Sequence, residues 1–508
     1  MPRYKPQERN GLLLPVVLSE QIVPGSFAFA LDYLVDNELD LSALDARFKN
    51  DEIGASAYDP RVMLKIVLLA YSQGLISSRS IERACAHNVQ FIAISGFSEP
   101  SHTHIAKFVS HLGEQIKPLF SQVLMTCDAQ GLIGRDLFAI DGVKLPSNAS
   151  KERSGTHAEL RHRADRLDKA AAKIIELHQA QDSSTQEASL EPKRVAQLEA
   201  LRKEAARTRE FLTSSPKRLN RKGKELKTNI TDPESAKMAT SKGVIQGYAA
   251  QAAVDNAHQV IVAADVIGSG SEQSMLHPMV EQCQPYRTDQ TVITADAGYH
   301  SDMNIEQLMQ QGIPALIADN QMRKRDERFN DQGKHKAKAD TLYEKKSTTQ
   351  EKIVKLFRPA DFHFNDDNTA ICPAGKLLTS NGSLYLTAKG QRYHQYLAQV
   401  SDCRHCSKRT QCLRNPTSQR GRQVTRLEAK AADNHSAPAL MRQAIDSRQG
   451  RALYSQRLGT VEPVFANLRH NKKLTRFNLR GRSKVNTQWN LYCMVHNIEK
   501  LANSGWAG

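Results

Sequence analysis

Long apolar runs are missing from this 508-residue chain. The best segment, MLKIVLLAY, carries Lys65 and gives way at Ser72, well short of the roughly 18 residues that a membrane helix needs. An integral membrane protein is therefore excluded. Cysteine is also sparse, with 8 residues in 508, too few for a disulfide-dense secreted protein. Half of them crowd between 372 and 412, which points to cytosol and metal rather than to disulfides. The stretch Leu12 to Leu18 followed by Ala28, Phe29 and Ala30 imitates a signal peptide only loosely. Pro15 interrupts it, and Ser19, Glu20 and Gln21 follow, so a mature strand or extended arm is expected. Acidic residues are outnumbered, 54 Asp and Glu against 70 Lys and Arg, for a net charge of +16. With 40% hydrophobic and 24% charged residues, collagen-like and wholly disordered chains are excluded. The length implies at least three modules.

The basic excess has two readings: a solvated surface, or a polyanionic partner. Its distribution favours the second, because Lys and Arg concentrate in KRLNRKGKELK (217 to 227) and KKLTRFNLRGRSK (472 to 484). The aromatic residues Phe477 and Trp489 lie in or near the latter.

The first 130 residues read as helical. Asp59-Pro60 starts a helix that Gly74 stops, a second covers roughly 79 to 88, and a third follows Pro100-Ser101. Such a bundle resembles helix-turn-helix topology and suits DNA. LFAIDGVKL (137 to 145) then reads as an apolar strand delivering Asp141 near its end. Two amphipathic helices between 157 and 213, joined by the polar QDSSTQEASLEP, predict an antiparallel hairpin, either a stabilising arm or one lying on nucleic acid or a partner subunit. GVIQGYAAQAAVD and HQVIVAADVIG predict a strand hairpin. A helix at 271 to 283, TVITAD, a helix near 302 to 311 and IPALIADN complete a mixed sheet with helices on its faces. Residues 321 to 450 read as polar and irregular, and a long helix is expected at about 484 to 502.

Two carboxylates at the ends of apolar strands carry the chemistry. Asp141 (AIDG) and Asp296 (TADAGYH) occupy positions where burial is costly unless the acid is paired, capped or metal-bound. Side by side they suit a hard divalent ion, and one more acid would complete a two-metal site for in-line phosphoryl displacement. Turn-capping is the alternative. Asp255, Asp265 and Asp319 compete, but Asp255 fits a hairpin turn and the others lack the glycine that follows Asp141 and Asp296.

The runs FAIDGVKLPSNASK, NITDPESAKMATSKGVIQGYAAQAAVD, TADAGYH and YSQRLGTVEPVFANLRHNKKLTRFNLRG resemble the DDE transposases of bacterial insertion sequences. Residues from about 20 to 127 resemble the N-terminal domain of one insertion-sequence group, so the likeness spans nearly the whole chain. It implies an RNase H-like α/β catalytic core binding two Mg²⁺ or Mn²⁺ ions through Asp141, Asp296 and Glu462. Glu462 would belong to a Tyr-Arg-Glu-Lys/Arg signature matched by Tyr454, Arg457, Glu462 and Arg469. The commonest form of that signature has three residues between Arg and Glu; here there are four, Leu458 to Val461. In one continuous helix Arg457 and Glu462 would stand about 140° apart, and Gly459 is the expected break. Arg469, with Lys472, Lys473, Arg476, Arg480, Arg482 and Lys484, and with Arg457 and Tyr454, would contact DNA phosphates.

Cys372, Cys403, Cys406 and Cys412 match a four-thiolate structural zinc site, with His405 as a substitute ligand. Cys85, Cys127, Cys283 and Cys493 fall in apolar helices and read as core. The expected organisation is a helical DNA-binding domain (1–130), a first catalytic strand region (131–156), an inserted helical hairpin (157–228), the core (229–320), an insertion with the cysteines (321–450) and C-terminal catalytic helices (451–508). The expected protein is a cytoplasmic transposase without membrane attachment. It would bind transposon ends as a homodimer or higher oligomer, then cut and join DNA. The rivals are a catalytically inactive transposase-derived DNA-binding protein and an RNase H-like nuclease without strand transfer.

Overall fold

A computed structural model describes residues 17–47, 56–182, 192–220, 223–240, 243–327, 329, 344–345, 354–387, 390–428 and 435–506. Most of the expected N-terminal strand or arm (12–16), most of the hairpin linker (183–191) and two residues of the first basic run (221–222) lie outside them. The chain divides into two compact units, Met1–Asp319 with Met441–Gly508, and Asn320–Leu440.

The N-terminal helices form for local reasons visible in their ends. The Asp59 carboxylate accepts from Arg61 N at 2.7 Å and Pro60 opens the helix Pro60–Ser72, an N-cap paired with a proline that has no N–H to lose. Gly74 closes it with φ +70, and a Cβ there would meet Lys473 Cδ at 3.0 Å. Ser77 caps Ser78–His87, and His102–His111 and Ile116–Ala129 follow. These helices belong to the same unit as the sheet rather than to a module of their own.

The central sheet comprises β1 (Leu137–Pro146), β2 (Ala236–Thr240), β3 (Gly243–Asp255), β4 (Ile261–Ile267), β5 (Val292–Ala295) and β6 (Ala315–Ile317). In space the order is β4, β3, β1, β5, β6, with β2 on the same edge of β3 as β4. β1, β3 and β4 pair antiparallel, whereas β1, β5 and β6 run parallel. The middle of the sheet is an almost unbroken buried run from Gln246 to Asp255, as expected of a strand covered on both faces.

Two late helices pack on this sheet, α1 (Arg448–Ala466) and α2 (Arg482–Asn503). α2 is buried on nearly every side: Trp489 Nε1 donates to Gln251 O at 2.9 Å, and Tyr492 stacks on Tyr71 at 4.4 Å between centroids. Trp489 and Phe477 are fully buried; they are core residues, not the nucleic-acid contacts that the basic run suggested. Gly459 does not break α1. Pro463 lies one turn later and has no N–H for the Gly459 carbonyl, and Gln259 Nε2 donates to that oxygen instead, at 3.2 Å. The helix ends in a π-turn, Asn467–Asn471, so Glu462 and Arg469 are not on one regular α-helical face.

The hairpin forms from His157–Asp182 and Pro192–Ser214 and is anchored at its base by Leu160, Phe211 and Ile230. Leu177 and Val195, further out, are exposed. Residues 363 to 427 are not irregular as the composition suggested. They build a six-stranded antiparallel sheet over Phe362, Ala370, Leu378, Tyr396 and Val424. Most of its strands are only two or three residues long, too short to show a period-two pattern.

Candidate active site

Register brings the two strand acids together. Leu137 to Ile140 pair in parallel with Val292 to Ala295, so the next residues on each strand, Asp141 and Asp296, leave that pairing side by side. Asp141 is not at its strand's end, since β1 continues to Pro146 against β3 alone. It stands where the parallel neighbour stops, and its Oδ1 accepts from Gly142 N at 2.8 Å. Burial pushes the Asp141 carboxyl above its usual range, Arg457 opposes that rise, and the Asp296 charge adds to it.

Arg457 is nearly buried and points inward to Asp141, not out toward solvent. Its Nη1 lies 2.9 Å from Asp141 Oδ2, and its Nε is buried without a hydrogen-bond partner. Tyr454, one turn earlier, lies under the guanidinium with 5.8 Å from Cζ to the ring centroid. Glu462 is exposed on the same helix, about 140° round from Arg457.

A further acid that sequence reading missed stands at the site. Glu272 follows β4 in the run Gly-Ser-Gly-Ser-Glu, at the start of the turn into the helix Leu276–Gln282. Burial pushes its carboxyl up to about 7; Lys144 opposes the rise, and the Asp296 and Asp141 charges add to it. Lys144 Nζ lies 3.9 Å from Glu272 Oε1. Only the fold could reveal Glu272, because neither a strand end nor a helical period marks it.

Two glycines keep this space open. A Cβ on Gly298 would meet Asp296 Oδ1 at 2.9 Å and Glu272 Oε2 at 3.1 Å, and one on Gly142 would meet Gln251 Nε2 at 2.5 Å. Gln251 is fully buried, and its Oε1 accepts from the Tyr299 hydroxyl. Its amide is oriented so as to favour the charged form of Glu272, yet Nε2 has no partner within hydrogen-bonding geometry. Under-compensated carboxylates and a gap only glycine leaves suit a small hard cation. The acids are gathered rather than closed: among the described residues no three His, Cys, Asp or Glu side chains stand ready to hold a metal ion.

The other sequence-level candidates separate. Asp255 is fully buried and accepts four backbone N–H groups, from Gly134, Arg135, Ala257 and His258, a structural role. Asp265 lies 3.4 Å from Arg482. Lys472 is buried on Glu499 at 2.7 Å, so it faces the core and not a phosphate. Lys473, Arg476, Arg480, Arg482 and Lys484 are exposed, and Arg469 is partly so. Arg476 and Arg480 are steadied by carbonyls just beyond β1, Ser147 O at 3.3 Å and Asn148 O at 2.7 Å.

In the smaller unit Cys372, Cys403, Cys406 and Cys412 line one cavity. Backbone N–H groups of Lys376 and Arg422 approach the Cys372 and Cys403 sulfurs at 3.3 and 3.4 Å. Burial pushes the Cys412 thiol up to about 11, and the neighbouring cysteines contribute. The other four cysteines are buried in the larger unit.

No described helix is long and apolar enough to cross a membrane. No curated protein matches the chain. A family described as Transposase DDE domain matches residues 371–502, which include Glu462 and all four clustered cysteines. A second, described as Transposase domain (DUF772), matches residues 16–111, the N-terminal helices. Transposase families matched near both ends of the chain, one of them a DDE domain, indicate a DDE transposase of the insertion-sequence type.

Proposed function

We propose that this transposase binds the terminal inverted repeats of its own element, cuts there, and joins the freed end to target DNA. The observation that carries the reading is the register placing Asp141 beside Asp296. The strand order, with its parallel β1, β5 and β6 and antiparallel β1, β3 and β4, supports an RNase H-like core. Asp141, Asp296 and Glu462 would hold two Mg²⁺ or Mn²⁺ ions, which when bound supply charge neutralisation at the reacting phosphate and lower the pKa of an attacking oxygen.

The chain's own residues bind and position. In the first step a water oxygen bonds to the phosphorus at the element end while the bond to the 3′ oxygen breaks, and that oxygen leaves as a 3′-hydroxyl. In the second, this hydroxyl attacks a target phosphorus and releases a target 3′-hydroxyl, an equal exchange of phosphate esters. Arg457 fixes the rotamer of Asp141 from one side. Exposed Lys473, Arg476, Arg480, Arg482 and Lys484, with Arg469, would hold phosphates along the rim. The N-terminal helices would read the ends, and a homodimer or higher oligomer would pair them. The cysteine quartet would hold a structural Zn²⁺.

The test is nicking and joining of plasmid DNA bearing the element's ends. The wild type should do both with Mg²⁺, and Asp141→Ala, Asp296→Ala and Glu462→Ala should each lose at least a thousandfold while still binding ends. Cleavage that survives these changes overturns the reading. End binding without nicking in the wild type would instead indicate an inactive DNA-binding protein, and nicking without joining a nuclease.

A further inference from the structure

Glu272 takes no part in the expected carboxylate set, yet it faces the same space as Asp296. We propose that Glu272 is a further cation-binding carboxylate of this site, sharing with Asp296 the gap that Gly298 leaves open; this rests on the proposed metal-dependent function.

Three observations carry it. The position a Gly298 Cβ would fill is 2.9 Å from Asp296 Oδ1 and 3.1 Å from Glu272 Oε2, so two carboxylate oxygens flank a space that any larger residue would occupy. Gln251, fully buried, turns its amide donor toward Glu272 without completing a hydrogen bond, so the space between them is open to ordered solvent. Glu272 is also only 12% exposed, with Lys144 as its cationic neighbour at a loose 3.9 Å. A nearly buried carboxylate beside two others, with so distant a counter-charge, is costly in the cation-free protein, and a divalent ion removes that cost.

The pleat explains the division of labour. Gly142 and Lys144 share one face of β1, and Gln251 is Gly142's partner on β3, so Glu272 joins the site from the Lys144 and Gln251 side. Asp141 is presented to the other face, where Arg457 meets it. Asp296, at the end of β5, serves both. Glu272 therefore complements Asp296 in a way that Asp141, already held by a guanidinium, does not.

The experiment is calorimetric titration of the full chain, free of DNA, with Mn²⁺ and separately with Ca²⁺. Glu272→Gln should weaken Mn²⁺ binding at least tenfold, comparably to Asp296→Asn. Gly298→Ala, which removes no carboxylate and sits at no left-handed φ, should do the same by filling the gap. Circular dichroism melting in EDTA reports whether each variant folds, and Gly298→Ala decides if Glu272→Gln does not. Mn²⁺ binding by Glu272→Gln within twofold of wild type, alongside a tenfold loss in Asp296→Asn, overturns the inference and leaves the catalytic reading intact. Wild-type-like Mn²⁺ binding in Asp141→Asn, Asp296→Asn and Glu272→Gln together overturns both.

Discussion

Arg457 Nη1 and Asp141 Oδ2 lie 2.9 Å apart across 316 residues of sequence, joining the penultimate long helix to the first strand of the central sheet. The pair holds Asp141 in the cation-free protein. Arg457→Ala should lower the unfolding free energy in EDTA by about 1–3 kcal/mol, less than for a fully buried pair because Asp141 retains some exposure. Added Mg²⁺ should recover more stability in this variant than in the wild type. Denaturant titrations with and without Mg²⁺ measure both; equal gains in the two proteins would show that Arg457 and the cation do not compete for Asp141.

Asp255 is the counter-example to a functional strand-end acid. Its two oxygens accept from four backbone N–H groups, and Asp255→Ala should cost about 2–4 kcal/mol by leaving buried donors unmet. Urea unfolding at neutral pH reads the loss. Below the variant's melting range, Mn²⁺ affinity should stay at the wild-type value.

His496 predicts an acid-sensitive fold. Its Nε2 donates to Gln259 O at 2.9 Å and its Nδ1 accepts from Asn467 Nδ2 at 3.1 Å, an arrangement that needs the neutral ring. Burial lowers its pKa to about 4, the Gln259 carbonyl and Glu499 oppose that fall, and Lys500 and Lys472 add to it. Because the folded value lies below the unfolded one, the stabilisation is complete above about pH 6.5 and is lost as pH falls toward 4. It amounts to on the order of 3 kcal/mol. His496→Gln should flatten the stability profile across that window; an unchanged slope between pH 6.5 and 4 would show that the imidazole does not govern it.

How much of this was legible in the sequence depends on the length of pattern available. Asp141, Asp296 and the strands bearing them were readable because each acid interrupts an apolar run, although Asp141 stands inside its strand and not at the end. Their adjacency was not, since it depends on a parallel register between segments some 150 residues apart. Gly459 looked like a helix breaker because helix propensity is local, whereas the carbonyl that Pro463 leaves free is satisfied by Gln259, from another part of the chain. The small sheet of 363 to 427 was hidden by strands too short to alternate visibly. Glu272 carried no local signal; burial and like charges identify it only after folding.

The cysteine quartet gives a separable expectation. If Cys372, Cys403, Cys406 and Cys412 hold zinc, the purified protein should contain one Zn²⁺ per chain, and Cys403→Ser with Cys406→Ser should remove it. Elemental analysis provides the count. Protease digestion should then cut within 320–440 first, before the larger unit is attacked.

The rim cations should appear in the salt dependence of DNA binding. Replacing Lys473, Arg476 and Arg480 together by Gln should make the slope of log K against log salt shallower by about 2 to 3. Lys472→Gln should leave that slope unchanged and reduce stability, because its ammonium is committed to Glu499. Fluorescence anisotropy over a salt series distinguishes the two effects.

The burial of α2 has a consequence in time. The helix Ile116–Ala129 leaves the ribosome about 350 residues, and Tyr71 about 410 residues, before the helix that covers them, a lag on the order of 20–80 s at ordinary synthesis rates. Through that interval the apolar faces that α2 covers lack their partner. A message broken before Arg482 would yield a polypeptide with its N-terminal helices made but left without the helix that packs on them. Synthesis of the last helix is thus the step that completes the core of the larger unit.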